Sequence, residues 1–270
     1  MNPFKKDPNY FLKAFSLSAV GFTILNILLL NFRTIEWHAE MGILHLLLIL
    51  TGLVLGLVSA TAFHNASHGN VGPKPVNTFV GELTANFSLE DFRCFKVGHM
   101  LHHMHVDDPE LDPHPPRGLT FLEFIQKSRK KTIGCITKLY FKSHGENSKT
   151  RKNVLAQLVV FHIGAAMKLV FWFLLFGPVG FVFFYIPAFL SYFFGFAHLN
   201  YISHQDEDGE VKIHNHYEGA FYRVMNVLTS GGYYHKNHHA SPGLYNPGKL
   251  TTSAVRPRVG NLRQSTSVSS

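Results

Sequence analysis

The chain is short of cysteine, of acid and of several familiar motifs, and each shortage removes a class of protein. Only two cysteines occur, Cys94 and Cys135, and they form no C-x-x-C pair. The two could pair in principle, but two reduced thiols on the cytoplasmic side are the expectation. Asp and Glu number 17 against 25 Lys and Arg, a formal net charge of +8. Such an excess can mark nucleic-acid binding, but the placement of the charges points to a membrane surface instead. No H-E-x-x-H run is present, which removes the common zinc-protease motif. No internal repeat or linker divides the sequence, so residues 1–250 are expected to form one domain, with 251–270 as a polar, mobile tail. No cleavable signal peptide is expected, because the first apolar run is too long and no small-residue cleavage site follows it.

What the chain does have is long apolar runs, at residues 11–32, 41–63, 154–176 and 179–197. At ~1.5 Å per helical residue, each is about long enough to cross a ~30 Å hydrocarbon core. Gly177-Pro178 reads as a tight turn between the last two runs, taken as antiparallel helices. The cations then set the topology. Lys5, Lys6 and Lys13 precede or open the first run, whereas the loop at 33–40 holds only Arg33. The segment between the second and third runs is dense in Lys and Arg, from Arg93 and Lys96 through Lys127, Arg129, Lys130 and Lys131 to Arg151 and Lys152. By the positive-inside rule, both termini and this segment are cytoplasmic. Three amphipathic stretches complete the outline. Residues 76–89 suit a re-entrant or interfacial helix, 217–229 a second interfacial helix, and 121–139 a helix lying on headgroups.

There are 18 histidines, and three tight clusters of them stand beside the apolar runs. The clusters are HNASH (His64, His68), HMLHH (His99, His102, His103) and HKNHH (His235, His238, His239). On a helix, rings three and four residues apart share a face, so each cluster aims its imidazoles at one region. Adjacent histidines diverge by ~100°, which suits two metals close together. Eight clustered rings are too many for one metal with an open position and about right for two. His204 in NYISH is a ninth candidate ligand, and Asn200, four residues earlier, could hold a water or bind weakly through oxygen. All the clusters fall on the cytoplasmic side. Metal-bound imidazoles usually donate their other N–H to a carboxylate or carbonyl. Asp91, Asp107, Asp108, Asp112, Asp206 and Asp208 are the acids placed to accept. His105, His114, His198, His214 and His216 lack supporting spacing and suit outer positions. His38, His45, His144 and His162 are taken as structural.

The boxes HNASH, HMLHH, NYISH and HKNHH, in that order and with paired apolar runs on either side of the central segment, resemble those of the membrane fatty acid desaturase superfamily. The resemblance covers roughly His64 to Pro247. It implies an all-α integral membrane protein with four transmembrane helices and a cytoplasmic helical cap holding a diiron site. It carries over His64, His68, His99, His102, His103, His204, His235, His238 and His239 as iron ligands, with Asn200 acting through water. It implies two iron ions, dioxygen as co-substrate, a membrane lipid or acyl substrate, and electrons from a separate ferredoxin- or cytochrome-b-type donor. Asn65 departs from the pattern, since many members carry aspartate there. NYISH and GGYYHKNHHASP resemble acyl-lipid desaturases, whereas HMLHHMHVDDPELDPH resembles carotenoid ketolases. The expected activity is fatty acyl desaturation, with lipid or carotenoid hydroxylation or ketolation as the alternative within the superfamily. A histidine-rich metal transporter is the alternative of another class. It would need ligands near the bilayer midplane, and here the clusters lie at or beyond the ends of the runs.

Overall fold

The computed structural model describes residues 4, 7–31 and 43–250, and it is mainly helical. The first connecting loop and the tail at 251–270 lie outside the described residues, as do His38 and the first two residues of the second apolar run. Helices α1 (Tyr10–Asn31) and α2 (Ile43–His68) carry the first two apolar runs. Helix α6 (Ser148–Gly180) leads through one π-helical turn (Phe181–Tyr185) into α7 (Ile186–Ser203). Three stretches are long and apolar enough to cross a membrane: Tyr10–Leu29, His45–His68 and Ser148–Ser203. The last is interrupted at Gly177, whose φ of 67° and ψ of 174° lie outside helical space. Glycine reaches that conformation without a Cβ penalty, and Pro178 restarts a helix because its missing N–H is one the first turn does not use.

Between α2 and α6 the chain forms α3 (Lys74–Phe87), α4 (Phe92–Met104) and α5 (Phe121–His144). Their starts are written in the sequence. The Asp91 side chain accepts from Cys94 N at 2.7 Å to cap α4. Thr120 and Glu123 form a reciprocal capping box on α5, and Asn147 with Thr150 does the same for α6.

The loop joining α3 to α4 is tied to the apolar helices. Trp172 Nε1 donates to Asn86 O at 3.0 Å, Tyr185 Oη to Phe87 O at 2.8 Å and Lys168 Nζ to Glu90 O at 2.7 Å. The first two satisfy carbonyls that the end of α3 leaves without helical partners, and the third satisfies one in the loop beyond it. The lysine within the third apolar run thus faces inward, while His162 of the same run is exposed and bonds its own helix at Leu158 O.

Helix α2 presses through small residues against α7 and the π-helical turn that leads into it. A Cβ added at Gly52 would overlap the Phe184 carbonyl oxygen, and one at Gly56 would overlap that of Ala188. Close approach of this kind is how apolar helices associate where lipid is as greasy as the partner. Three aromatic-rich clusters fill the remaining contacts. Phe4, Phe11 and Phe15 meet α4 and α5 at Leu101 and Tyr140, Phe63 meets Phe92 and Tyr192, and Phe22 meets Phe171, Trp172 and Tyr185.

One element departs from the all-α expectation. After α7 the chain forms an antiparallel hairpin, β1 (His204–Glu207) and β2 (Glu210–Ile213), with His204 paired to Ile213. Asp208 and Gly209 both adopt positive φ, 55° and 85°, as a two-residue hairpin turn requires. Helices α8 (Gly219–Leu228) and α9 (His235–Ala240) follow. Phe221, Val224 and Val227, the last 80 % exposed, share one face of α8. Val76, Phe79 and Leu83 likewise form an exposed apolar face on α3.

Candidate metal centre

The four histidine boxes come from α2, α4, the α7–β1 junction and α9, and the fold brings them to one place. His64, His68, His99, His103 and His238 form one group, and His102, His204, His235 and His239 form another. Within each group, one ring nitrogen per residue lies within 4.8 Å of all the others. The groups are neighbours, since the rings of His103 and His239 are 4.4 Å apart between centroids.

The two H-x-x-H-H boxes are used in opposite senses. On α4 the pair four apart, His99 and His103, joins the five-ring group, while His102 turns to the four-ring group. On α9 the pair four apart, His235 and His239, joins the four-ring group, while His238 turns to the five-ring group. The ~100° step between adjacent helical residues sends each adjacent pair to different groups, as the spacing predicts. The nine histidines of the sequence reading are the nine that converge. Asn200 is buried on α7 beside them. Its Nδ2 donates to Phe196 O at 3.0 Å, and it lines the same crevice as His64, His99, His235 and His238 without joining either group.

The nitrogen geometry suits a metal better than a hydrogen-bond network. In the five-ring group, His99 Nε2 lies 2.8 Å from His68 Nε2 and 3.1 Å from His103 Nε2, and His103 Nε2 lies 3.0 Å from His238 Nε2. In the other group, His235 Nε2 lies 3.1 Å from both His204 Nε2 and His239 Nε2. An imidazole nitrogen has one hydrogen or one lone pair, so it cannot serve two in-plane partners well. Two nitrogens ~2.1 Å from one ion and at right angles are ~3.0 Å apart, which is the spacing seen. The Nε2 of His102 is buried with no partner of its own. An orphaned buried acceptor is rare in a folded protein, and this one faces the four-ring group. The site therefore fits a pair of metal ions with nitrogen-rich ligation.

Protonation favours the same role. Burial, followed by the neighbouring rings, pushes His99, His102, His235 and His238 below the ordinary histidine range, and His103 down to about 3. All five are neutral at pH 7, with a lone pair to offer.

Two of the six acids named from sequence stand behind the rings. His102 Nδ1 donates to Asp112 Oδ1 at 2.9 Å, and His204 Nδ1 donates to Asp107 Oδ2 at 3.0 Å. Of the others, Asp91 caps α4, Asp108 accepts from Glu110 N and Leu111 N, and Asp206 pairs with Arg117 at 2.8 Å. Asp208 sits in the hairpin turn. The other histidines take supporting places. His198 Nδ1 is 2.9 Å from Tyr233 Oη, His214 Nε2 is 3.0 Å from Glu207, and His216 Nε2 donates to Ile202 O at 3.1 Å. Cys94 and Cys135 are free thiols, as expected.

A crevice leads to the rings. Leu57, Ala60, Gly195, Phe196 and Leu199 form apolar walls between α2 and α7, and His64, His99, His235 and His238 form its end. Thr229, Gly232, Tyr245 and Pro247 close its other side and were not singled out from sequence. A signal for them was present. Ser230 and Gly231 adopt positive φ, and a Cβ at Gly231 would overlap the Asn246 side chain, so the S-G-G turn after α8 is pressed onto the N-P-G turn.

Comparison with curated proteins returned no match. The family model described as fatty acid desaturase matches residues 41–247. That span holds every histidine box and both walls of the crevice and exceeds half the sequence, so the chain belongs to the fatty acid desaturase family.

Proposed function

We propose that the chain is a dioxygen-dependent diiron oxidoreductase that desaturates a fatty acyl chain in the membrane. One observation carries the reading: nine histidines from four segments converge in two groups at the end of a crevice whose walls are apolar. Two irons held there, supplied with dioxygen and with two electrons from a separate ferredoxin- or cytochrome-b-type donor, bring the oxidising power to remove two hydrogens from adjacent carbons. The balance is one acyl –CH2–CH2–, one O2, two electrons and two protons giving one –CH=CH– and two waters. The irons would be held by His64, His68, His99, His103 and His238 on one side and by His102, His204, His235 and His239 on the other. Asn200 would hold a water at the edge. The chain's own part is positional. Leu57, Phe196 and Leu199 exclude water and align the acyl chain, so that one pair of carbons lies against the rings.

The same reading gives the topology. A 56-residue apolar stretch, Ser148–Ser203, is far longer than a bilayer is thick, and its break at Gly177 divides it into two spans. With α1 and α2 that makes four spans, both termini cytoplasmic, and the rings in a cytoplasmic cap. Residues 1–250 form one domain and 251–270 a tail. The exposed apolar faces of α3 and α8 rest in the membrane or at its surface.

Expression of the chain with a compatible reductase, followed by mass spectrometry of fatty acid methyl esters, tests the reaction. A product two mass units lighter, dependent on oxygen and on His238, is expected. A lipid that gains oxygen, or a carotenoid that gains a keto group while acyl chains stay unchanged, would overturn desaturation and leave the family alone standing. Cysteines introduced at Lys130 and Val179, in a background lacking Cys94 and Cys135, should label from opposite sides of the membrane. Labelling from one side would break the four-span topology.

A further inference from the structure

The two groups of rings differ in what stands behind them. In the four-ring group, His102 Nδ1 donates to both oxygens of Asp112, at 2.9 and 3.0 Å, and His204 Nδ1 donates to Asp107 Oδ2 at 3.0 Å. Both pairs are buried: the His102, Asp112 and His204 side chains are 0 % exposed and that of Asp107 is 7 % exposed. In the five-ring group, no carboxylate meets a ring among the described residues. The titratable neighbours of His64, His99, His103 and His238 are other histidines, and His68 has the cation Lys96 in addition to its histidine neighbours.

The two acids belong to one stretch of chain, directly after α4, and they are fixed relative to each other. The backbone N–H of Asp107 donates to Asp112 Oδ2 at 2.7 Å, and that of His114 donates to Asp112 Oδ1 at 2.8 Å. Asp107 itself turns the chain with a φ of 59°, a conformation that Asp adopts more readily than most residues. A single strap thus reaches two rings that come from distant segments, α4 and the α7–β1 junction.

A carboxylate behind an imidazole fixes the tautomer, keeps the Nε2 lone pair facing the ion and raises its basicity. Two such carboxylates also bring negative charge to the back of one metal position. The other position has one more ring and, among the described residues, no carboxylate behind it. We infer that the two metal positions are unequal: Asp107 and Asp112 act on the four-ring position alone, as positioning residues working through His204 and His102. Loss of either acid weakens metal binding at that position and leaves the five-ring position unchanged. The inference rests on the two-metal reading of the site.

The test counts metal. The full chain is purified in mild detergent, stripped with chelator and titrated anaerobically with Fe²⁺, then with Co²⁺ as a spectroscopic probe. The parent binds two ions. Asp112→Asn preserves shape but removes charge. It should weaken one of the two positions by about 10- to 100-fold, so that one ion is retained at a concentration that fills both in the parent. One set of visible Co²⁺ bands is lost and the other is unchanged. Asp107→Asn should behave in the same way, and it carries the test if Asp112→Asn does not fold. Asp108→Asn, whose carboxylate only caps the turn at Glu110 and Leu111, should keep two ions. Removing His64 and His68 together should spare the ion that Asp112→Asn loses, and adding Asp112→Asn to that pair should leave none. If a folded Asp112→Asn or Asp107→Asn keeps both ions at parental affinity, or loses both together as a merely structural role would require, the inference is overturned. If the parent binds no metal, the two-metal reading falls first, which is a separate result.

Discussion

Helices α2 and α7 run side by side, yet their two ends do opposite things. Around Gly52 and Gly56 the backbones touch: no side chain separates α2 from the carbonyls of Phe184 and Ala188, and Ser191 Oγ donates across to Leu53 O at 2.6 Å. From Leu57 and Gly195 toward His64 and Asn200, the same pair parts around the crevice. Hydropathy alone does not explain the contact, because lipid competes for apolar surface along the whole pair. Packing explains it. Glycine at the closed end permits backbone contact and dispersion gain. At the open end, the side chains of Leu57, Phe196 and Leu199 line the crevice instead. The closed end fixes the angle at which α2 presents His64 and His68, so it supports chemistry it never touches.

The largest expected effect comes from breaking the open end at the rings. His238 Nε2 lies 3.0 Å from His103 Nε2, and the His238 ring centre is 4.5 Å from that of His64. It is the only residue α9 lends to the five-ring group. His238→Ala should abolish desaturation and lower bound iron, measured by product analysis and by metal content of the purified protein. His144→Ala, whose ring packs against Tyr140 away from the site, should change neither. Full iron content with parental activity in His238→Ala would remove that residue from the site.

Breaking the closed end should cost less, and it acts at a distance. In Gly56→Leu the new side chain would have to displace the Ala188 backbone rather than a flexible side chain. Overpacking of this kind costs about 1–3 kcal/mol. The thermal midpoint in detergent should therefore fall, and iron content with it. Gly21→Leu is the control, since a Cβ there meets nothing within 4 Å. Equal midpoints for the two variants would show that the glycine contact does not hold the pair.

This contrast also marks the limit of what the sequence discloses. The ring spacing is legible because helix geometry is local: a step of three or four residues decides which imidazoles share a face, and eight of the eighteen histidines stand out on that ground, whereas His204 stands out only by its NYISH context. The break at Gly177 is legible for the same reason, as Gly-Pro dictates its own backbone. What is not local is hidden. Six aspartates were equally placed to back a ring, and only the fold of the loop after α4 selects Asp107 and Asp112. The hairpin at 204–213 was missed although Asp208-Gly209 is its turn signal, because strands of four residues carry too little alternation to register. Gly52 and Gly56 look like two unremarkable residues of an apolar run until the partner helix is known.

A milder change separates the two ends by function rather than by stability. The nearest neighbour of a Cβ at Gly195 is Leu57 Cδ2, the far end of a flexible side chain. In Gly195→Ala the leucine can rotate, and the direction open to it is the crevice. The thermal midpoint should hold, while long acyl chains are turned over less well than short ones. One methylene misplaced in an apolar pocket discriminates by roughly tenfold or more. Competition between acyl chains of two lengths, read as the ratio of kcat/KM, checks this. A lowered midpoint with an unchanged ratio would place Gly195 with the closed end instead.

The smallest expected effect is a difference of sign between two identical substitutions. Glycine inside a helix is less favourable than alanine by about 0.5–1 kcal/mol, through backbone entropy. At Gly164 of α6 a Cβ meets nothing within 4 Å, so Gly164→Ala keeps that gain. At Gly56 the same methyl overlaps both the oxygen and the carbon of the Ala188 carbonyl, and the contact penalty exceeds the gain. Gly164→Ala should raise the thermal midpoint by about 1–4 °C, and Gly56→Ala should lower it. Iron content should follow only the second change, because α6 lends no ring to either group whereas α2 lends His64 and His68. If both variants shift the midpoint upward, the closed end of the pair has slack that the backbone contact at Gly56 does not allow, and the account of why α2 and α7 meet there fails.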